Sequence, residues 1–322
     1  MKIKLLDLFS GIGGFHKGLE QAGFEVESYF SEIDKYAIQV YQNNFKKSKY
    51  VGSVTNVYGR NLPKIDAITF GSPCQDFSIA GKRKGMEGDR SSLISEAIRL
   101  VSECRPRFFV WENVKGTFSS NNGEDLWAII QAFANVGGYR LEWQLLNTKW
   151  FLPQNRERIY LVGYIGNGSR GQVFPIRENN RKVDVIQRQQ ANTNCISARY
   201  NGIGNGSYVI ERKFEAQEEV EIADYRTDEG LRIRDDKNSS CLTVTHSSET
   251  SLSAMPPSLL KSNTKIRKLT PIECERLQGF PDNWTKKGTE GLISDTQRYK
   301  MCGNAVTVDV VQAVAERIKN IL

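Results

Sequence analysis

Asp66-Ala67-Ile68-Thr69-Phe70-Gly71-Ser72-Pro73-Cys74-Gln75-Asp76-Phe77-Ser78 is an apolar run that stops at a glycine and a proline. The run from Asp66 to Phe70 reads as a short buried strand. The break after it sets Cys74 in the loop at the strand's carboxyl end. In open α/β sheets that edge is where ligands and chemistry gather. Taken alone, a cysteine is most simply a small buried apolar side chain. Placed at such an edge, in a chain with only two histidines, it is also a candidate nucleophile.

Strand and helix patterns alternate on both sides of this stretch. Ile3 to Phe9 reads as a strand, followed by Ser10-Gly11-Ile12-Gly13-Gly14-Phe15 and a helix that begins around His16. The glycines make a tight turn, and bare amides at a helix N-terminus suit an anionic or polar ligand group, although many strand–helix corners use glycine. A second strand, Glu25 to Ser31, ends in Glu32. A carboxylate there is the usual partner of ribose hydroxyls in nucleoside-cofactor folds. A helix over Lys35–Phe45 and a short strand at Tyr50-Val51 precede the cysteine strand.

Beyond it, a helix from about Ser91 to Cys104 leads into Arg107-Phe108-Phe109-Val110-Trp111-Glu112-Asn113-Val114. Glu112 follows a run of apolar and aromatic residues and faces the same edge as Cys74. A carboxyl group there is costly to bury without a partner. It either contacts a substrate or caps the following helix. A helix near Glu124–Asn135 and strands over Tyr139–Asn147 and Arg158–Ile165 follow. Between those strands lies Gln154-Asn155-Arg156-Glu157-Arg158, whose two arginines point the same way in an extended segment. The alternation implies βαβ units and a mostly parallel sheet.

Directly after the cysteine, residues 76–92 carry Gly81, Gly85 and Gly88 among Lys82, Arg83, Lys84 and Arg90. This basic loop is either a solvated surface or a lid over a phosphate backbone. From Gly166 the texture changes. Gly166–Gly171 reads as a glycine-rich linker, and residues 177–265 offer short β-like pieces without sustained helical periodicity, a separate small domain of strands and loops. Asn194-Cys195-Ile196-Ser197 and Ser240-Cys241-Leu242-Thr243 resemble each other over too short a span to make a repeat. Helical order returns at Leu269–Pro281, with a Thr cap, Pro at the first helical position and Gly at the exit. Gly303-Asn304-Ala305-Val306 then opens a final amphipathic helix to about Ile321.

The 322 residues suffice for one large domain or two ordinary ones, and 39% hydrophobic with 25% charged residues is ordinary for a globular protein. No apolar run is long enough to span a bilayer and no signal-peptide pattern opens the chain, which points to a cytoplasmic protein without membrane partners. The six cysteines include no C-x-x-C pair, so neither a zinc site nor a disulfide framework is expected. The net charge of +7 permits a polyanionic partner. Residues 177–265 hold 13 Lys/Arg and 13 Asp/Glu, so the excess lies in the rest of the chain.

Asp7–Phe15, Pro73-Cys74-Gln75, Glu112-Asn113-Val114, Gln154–Arg158, Arg267–Pro281 and Gly303–Val306, in that order, resemble the motifs of the cytosine carbon-5 DNA methyltransferase family, whose members include bacterial and phage modification enzymes. The resemblance covers residues 1–165 and 266–322. It implies an α/β protein: a Rossmann-like, S-adenosylmethionine-dependent methyltransferase domain with a mostly parallel sheet. That domain would span 1–169, completed by 266–322, with a smaller β/loop target-recognition domain at 170–265.

By the resemblance Cys74 is the nucleophile, Glu112 holds ring nitrogen 3 and the exocyclic amine of cytosine, and Arg156 and Arg158 orient the base. Phe9 would lie on the adenine side of S-adenosylmethionine, Gly11, Ile12 and Gly14 around its methionine part, and Glu32 on the ribose. Ile33, Ser53, Val54, Pro73, Leu93, Asn304 and Val306 would complete the pocket. Ser53 departs from the family, which usually has an aspartate there for the adenine amine. Gln75, Ser78, Lys82, Arg83, Lys84, Arg90 and Arg199 would contact nucleic acid. In the insert, Asn192, Asn194, Arg199, Asn201 and Arg226 are residue types that read base edges. The partner implied is duplex DNA with its target base flipped out. A monomer without metal, beside a restriction endonuclease of the same system that it does not touch, would follow. Three other readings stay open. One is the branch of the family acting on tRNA, and one a silent binding protein. The third, a nucleotide-binding oxidoreductase, leaves Pro73-Cys74 and Gln154–Arg158 unexplained.

Overall fold

The computed structural model describes residues 1–72, 93–119, 123–166, 171–178, 193–194, 207–212, 220–226, 230–233 and 264–322. Pro73, Cys74, Gln75, Ser78, Lys82, Arg83, Lys84, Arg90, Asn192, Arg199 and Asn201 lie outside the described residues.

The apolar runs become the strands of a seven-stranded sheet. In chain order they are β1 (Lys2–Leu8), β2 (Glu25–Ser31), β3 (Lys49–Tyr50), β4 (Ala67–Gly71), β5 (Phe108–Val114), β6 (Arg140–Asn147) and, after the two-residue β7 (Gln154–Asn155), β8 (Glu157–Tyr164). Their order across the sheet is β3-β2-β1-β4-β5-β8-β6. The first five run parallel, whereas β8 runs antiparallel to both β5 and β6. The strand order reverses between β1 and β4, so a crevice opens at their carboxyl ends. Those ends carry the glycine turn and the Gly71-Ser72 corner.

Because side chains alternate across a strand, each central strand feeds two cores. Leu5, Ala67, Phe108 and Val110 face one layer, and Leu6, Ile68, Phe109 and Trp111 the other. The helices are α1 (Gly14–Gln21), α2 (Lys35–Asn44), α3 (Leu93–Cys104), α4 (Gly116–Ser119), α5 (Glu124–Val136), α6 (Pro271–Leu277), α7 (Asp295–Asn304) and α8 (Val308–Ile321). The first layer takes Phe15 and Leu19 of α1 with Val310, Val311, Val314 and Ile318 of α8. The second takes Ile94, Ala97 and Leu100 of α3 with Leu126, Ile129 and Phe133 of α5. The chain's last helix therefore packs beside its first.

Residues 171–178, beyond the expected boundary at 170, are built into the first layer. Val173 and Ile176 are fully buried there. Glu142 accepts the amides of Val173 and Phe174 at 3.0 and 3.1 Å, and Gln144 accepts from Ile176 N at 2.8 Å and donates to Ile176 O at 2.9 Å. Further on, β9 (Thr193–Asn194) pairs in parallel with β7. Strands β10 (Ser207–Arg212), β11 (Val220–Arg226), β12 (Gly230–Ile233) and β13 (Thr264–Lys268) form an antiparallel sheet in the order β12-β11-β10-β13. β13 leads straight to Thr270, whose side chain makes a capping box with Glu273 at the start of α6.

Candidate active site

The register of the parallel strands sets Gly71 opposite Glu112. A methyl group on Gly71 would sit 3.1 Å from Glu112 Oε2, so the carboxylate lies over the corner that leads to Cys74. β8 brings up Arg158, whose Nε is 3.1 Å from Glu112 Oε1. Both side chains are largely buried, which makes the ion pair costly to break. The residues flanking Glu112 hold the corner itself. Trp111 Nε1 donates to Ser72 Oγ at 3.1 Å, and Asn113 Nδ2 donates to Ser72 O at 3.1 Å. Asn113 Oδ1 in turn accepts from Val114 N at 2.7 Å and Thr117 Oγ1 at 3.2 Å. Ser72, two residues before Cys74, is thus fastened to the strand that bears Glu112.

The two arginines meet different partners. Arg156 falls in the break between β7 and β8, and its buried guanidinium donates to Gly303 O at 3.2 Å and Ala305 O at 2.9 Å. Arg158 alone of the pair reaches Glu112 among the described contacts. Arg156 thereby fixes the turn between α7 and α8, which carries Asn304 and Val306.

Of the residues expected to hold a cofactor, Phe9, Gly11, Ile12 and Gly14 lie on the turn from β1 to α1, and Glu32 and Ile33 follow β2 beside it. Phe9 and Gly11 both take left-handed backbone, with φ of 50° and 53°. For Phe9 this costs about 1–2 kcal/mol. Glu32 clamps the turn. Its Oε2 accepts Gly11 N at 2.8 Å, and its Oε1 accepts Ile33 N at 2.7 Å and Asp34 N at 2.9 Å. Beside that carboxylate, Ile33 leaves 78% of its surface in solvent, an apolar platform next to an acidic one. Ile12 is buried, and its carbonyl accepts Trp284 Nε1 at 3.0 Å. Gly14 lies so near Val306 that a methyl group would meet Val306 Cγ2 at 2.6 Å and its carbonyl oxygen at 2.8 Å. Val54 is buried in the second layer, with Phe9 and Leu93 packed against it. Ser53 shares a hydrogen bond with Thr55 at 3.0 Å, and Asn304 is exposed at the end of α7.

Under the glycine turn lies a polar chain that sequence reasoning missed. Asp7 is fully buried in β1 and accepts from Thr69 Oγ1 at 2.8 Å and Tyr41 Oη at 3.3 Å. Tyr41 Oη is 3.0 Å from His16 Nδ1. Burial pushes the Asp7 carboxyl up to about 8 and His16 down to about 3. The signal was available, since Leu5-Leu6-Asp7-Leu8 interrupts an apolar strand as Glu112 does. An acid whose folded value is raised costs stability as pH climbs from its ordinary 3.8 towards 8, because the unfolded chain ionises first. Asp7→Asn should therefore gain thermal stability relative to the parent between pH 5 and pH 8, provided the amide keeps both partners. A melting difference that stays constant over that range would contradict the assignment.

The sequence profile of the C-5 cytosine-specific DNA methylases matches residues 3–320. The chain belongs to that family. It is 32% identical over 325 residues to the type II methyltransferase M.Bsp6I of Bacillus sp. strain RFL6, covering 98% of each chain. To M.HhaI of Haemophilus parahaemolyticus it is 32% identical over 329 residues, covering 98% of this chain and 94% of the relative. Among solved structures, the methyltransferase EhMeth of Entamoeba histolytica superposes with a TM-score of 0.67 at 17% identity, over 99% of this chain and 98% of the other. Dnmt2 of S. pombe gives 0.61 at 18%, over 97% and 96%. At those identities the structures share the fold. The methylase is thus an α/β enzyme of DNA cytosine methylation, with the sheet and crevice that its motifs imply. No described helix of this methylase is long and apolar enough to cross a membrane.

Proposed function

We propose that this methylase transfers a methyl group from S-adenosylmethionine to carbon 5 of a cytosine turned out of a specific duplex sequence, through a transient bond to Cys74. The observation that carries the reading is the Glu112–Arg158 pair over Gly71, with Ser72 fastened beside it. A carboxyl group held by a guanidinium suits the ring nitrogen and amine edge of cytosine. Among the described cysteines, burial pushes Cys104 up to about 11 and raises Cys274 and Cys302 as well, so none of these is a thiolate near neutrality.

Carbon 5 of cytosine is a poor nucleophile. The Cys74 thiolate gives its electron pair to carbon 6, the carbon 5–carbon 6 double bond opens towards the ring, and a proton held between the Glu112 carboxyl group and nitrogen 3 neutralises the negative charge that arrives there. S-adenosylmethionine, when bound, supplies a sulfonium methyl that leaves without its electron pair. Carbon 5 takes that methyl. A base then removes the proton from carbon 5, the carbon 5–hydrogen electron pair restores the double bond to carbon 6, and the sulfur–carbon 6 pair leaves with Cys74 as thiolate. Arg158 holds Glu112 for this work, and Arg156 holds the turn behind it.

The crevice residues fit the cofactor. Glu32 matches ribose hydroxyls, Ile33 and Phe9 an adenine face, and Gly11, with open space beside it, leaves room for the methionine part on the turn that Ile12 and Gly14 complete. Pro73, Leu93, Val54, Ser53, Asn304 and Val306 close the pocket, and Ser53 brings no charge to the adenine amine. Gln75, Ser78, Lys82, Arg83, Lys84 and Arg90 hold the phosphate backbone near the flipped base, and Arg199 belongs to the insert that reads the target. On this reading the protein works in the cytoplasm as a monomer, in a system with a restriction endonuclease that it does not contact, and the type II names of its relatives support that setting. Since residues 171–178 belong to the main core, a graft of another methylase's insert should replace 179–263 only. Such a chimera is expected to methylate the donor's target.

A duplex with 5-fluorocytosine at the target tests the covalent step, because no proton can leave carbon 5. With S-adenosylmethionine it is expected to trap a denaturant-stable protein–DNA adduct. Absence of any adduct, from protein that methylates the ordinary duplex, would overturn the mechanism.

A further inference from the structure

Strand β9 of the insert and the helix that follows the insert both reach one buried residue outside it. The backbone of Gln154 and Asn155 forms β7, and β9 of the insert pairs with it, Thr193 opposite Gln154 and Asn194 opposite Asn155. The Gln154 side chain turns the other way: Nε2 donates to Leu277 O at 2.7 Å. Leu277 ends α6, the helix that follows directly from β13, the insert's last strand, and β13 pairs with β10 along its length. Gln154 is fully buried. Two residues on, Arg156 grips Gly303 and Ala305, and four residues on, Arg158 holds Glu112.

We propose that Gln154 is the positioning residue through which target recognition by the insert sets turnover as well as binding. The inference rests on the target-recognition reading of the insert. Buried segments joined by hydrogen bonds transmit displacement rather than absorb it. A shift of β9 or β13 as the insert seats on DNA therefore moves β7, and with it the arginine opposite Glu112. Misplacing a catalytic group by about 1 Å can cost about 100-fold in rate. A correctly seated insert aligns Arg158 and Glu112. A mismatched site leaves them displaced even when the duplex is bound.

The test uses the full chain, with Gln154→Leu and Thr193→Pro made singly and together. The first removes the amide that holds Leu277, and the second disturbs the ladder from the insert's side without touching Gln154. Turnover and KM are measured on a target duplex and on one with a single mismatched pair. Each single variant is expected to lose about 10-fold or more in kcat on the target duplex, with KM for DNA changed by less than about two-fold. The kcat ratio between target and mismatched duplex should shrink in both. The double variant should lose less than the product of the two, since both cut one linkage. A raised KM with unchanged kcat, or losses that multiply, would overturn the coupling. If Gln154→Leu does not fold, Thr193→Pro decides by the same kcat–KM split and the same mismatch ratio. Failure of the insert reading shows up separately, in the unsubstituted protein, as equal affinity for target and scrambled duplexes.

Discussion

Cys74→Ser is expected to lower methyl transfer by about four orders of magnitude, while S-adenosylmethionine affinity, measured by calorimetry, changes by less than about two-fold. The substitution keeps the size of the side chain and removes the one property the reaction needs, a readily ionised and strongly nucleophilic atom. The corner that leads to residue 74 is held by Trp111 and Asn113 through Ser72, so it does not depend on the thiol. The residues proposed to hold the cofactor stand mainly on the β1 and β2 side, clamped by Glu32. Loss of cofactor binding along with activity would mean that Cys74 is structural. Retained turnover would remove it from the mechanism.

Glu112→Gln is expected to lower kcat by about 100- to 1,000-fold, with a far smaller change in affinity for duplex DNA. Glutamine keeps the length of the side chain and can stand at the same 3.1 Å position beside Arg158 Nε. What it loses is the capacity to hold a proton at the ring nitrogen. The buried Arg158 guanidinium also loses its counter-charge, so some stability should go with it. The outcome separates the two readings of Glu112 that its sequence leaves open. A carboxylate that only caps the next helix could be replaced by a hydrogen-bonding amide with turnover intact. Equal losses in turnover and duplex affinity would also defeat the assigned role.

Much of the scaffold was legible because parallel strands buried on both faces show as unbroken apolar runs. β4 and β5 come closest to such runs, β1 is one broken by Lys4 and Asp7, and each ends near the residue that marks the crevice. Glu112 stood out for the same reason, a charge after the four apolar side chains Phe108 to Trp111. Less legible was everything set by contact between distant segments. The alternation of Arg156 and Arg158 implied a common direction, but nothing local announces that Arg156 meets Gly303 and Ala305, almost 150 residues away in sequence, while Arg158 meets Glu112. The polar lattice of Gln154, Gln278, Thr148 and Thr307 has no local signature. Gln278 Nε2 donates to Cys302 O at 2.8 Å and Thr307 Oγ1 donates to Gln278 Oε1 at 3.0 Å, while Thr148 and Thr307 hydroxyls meet at 2.9 Å. Residues 171–178 follow a glycine-rich stretch and read as the start of the target-recognition domain, yet Glu142 and Gln144 on β6 seat them in the core.

The central claim, that this chain methylates cytosine at carbon 5 within a defined DNA sequence by way of Cys74, is tested most directly by bisulfite sequencing. Plasmid would be recovered from cells expressing the chain, beside plasmid from cells expressing Cys74→Ser. Protected cytosines in one sequence context, absent with Cys74→Ser, are the expected result. No protection, from soluble protein that still binds S-adenosylmethionine, would contradict it.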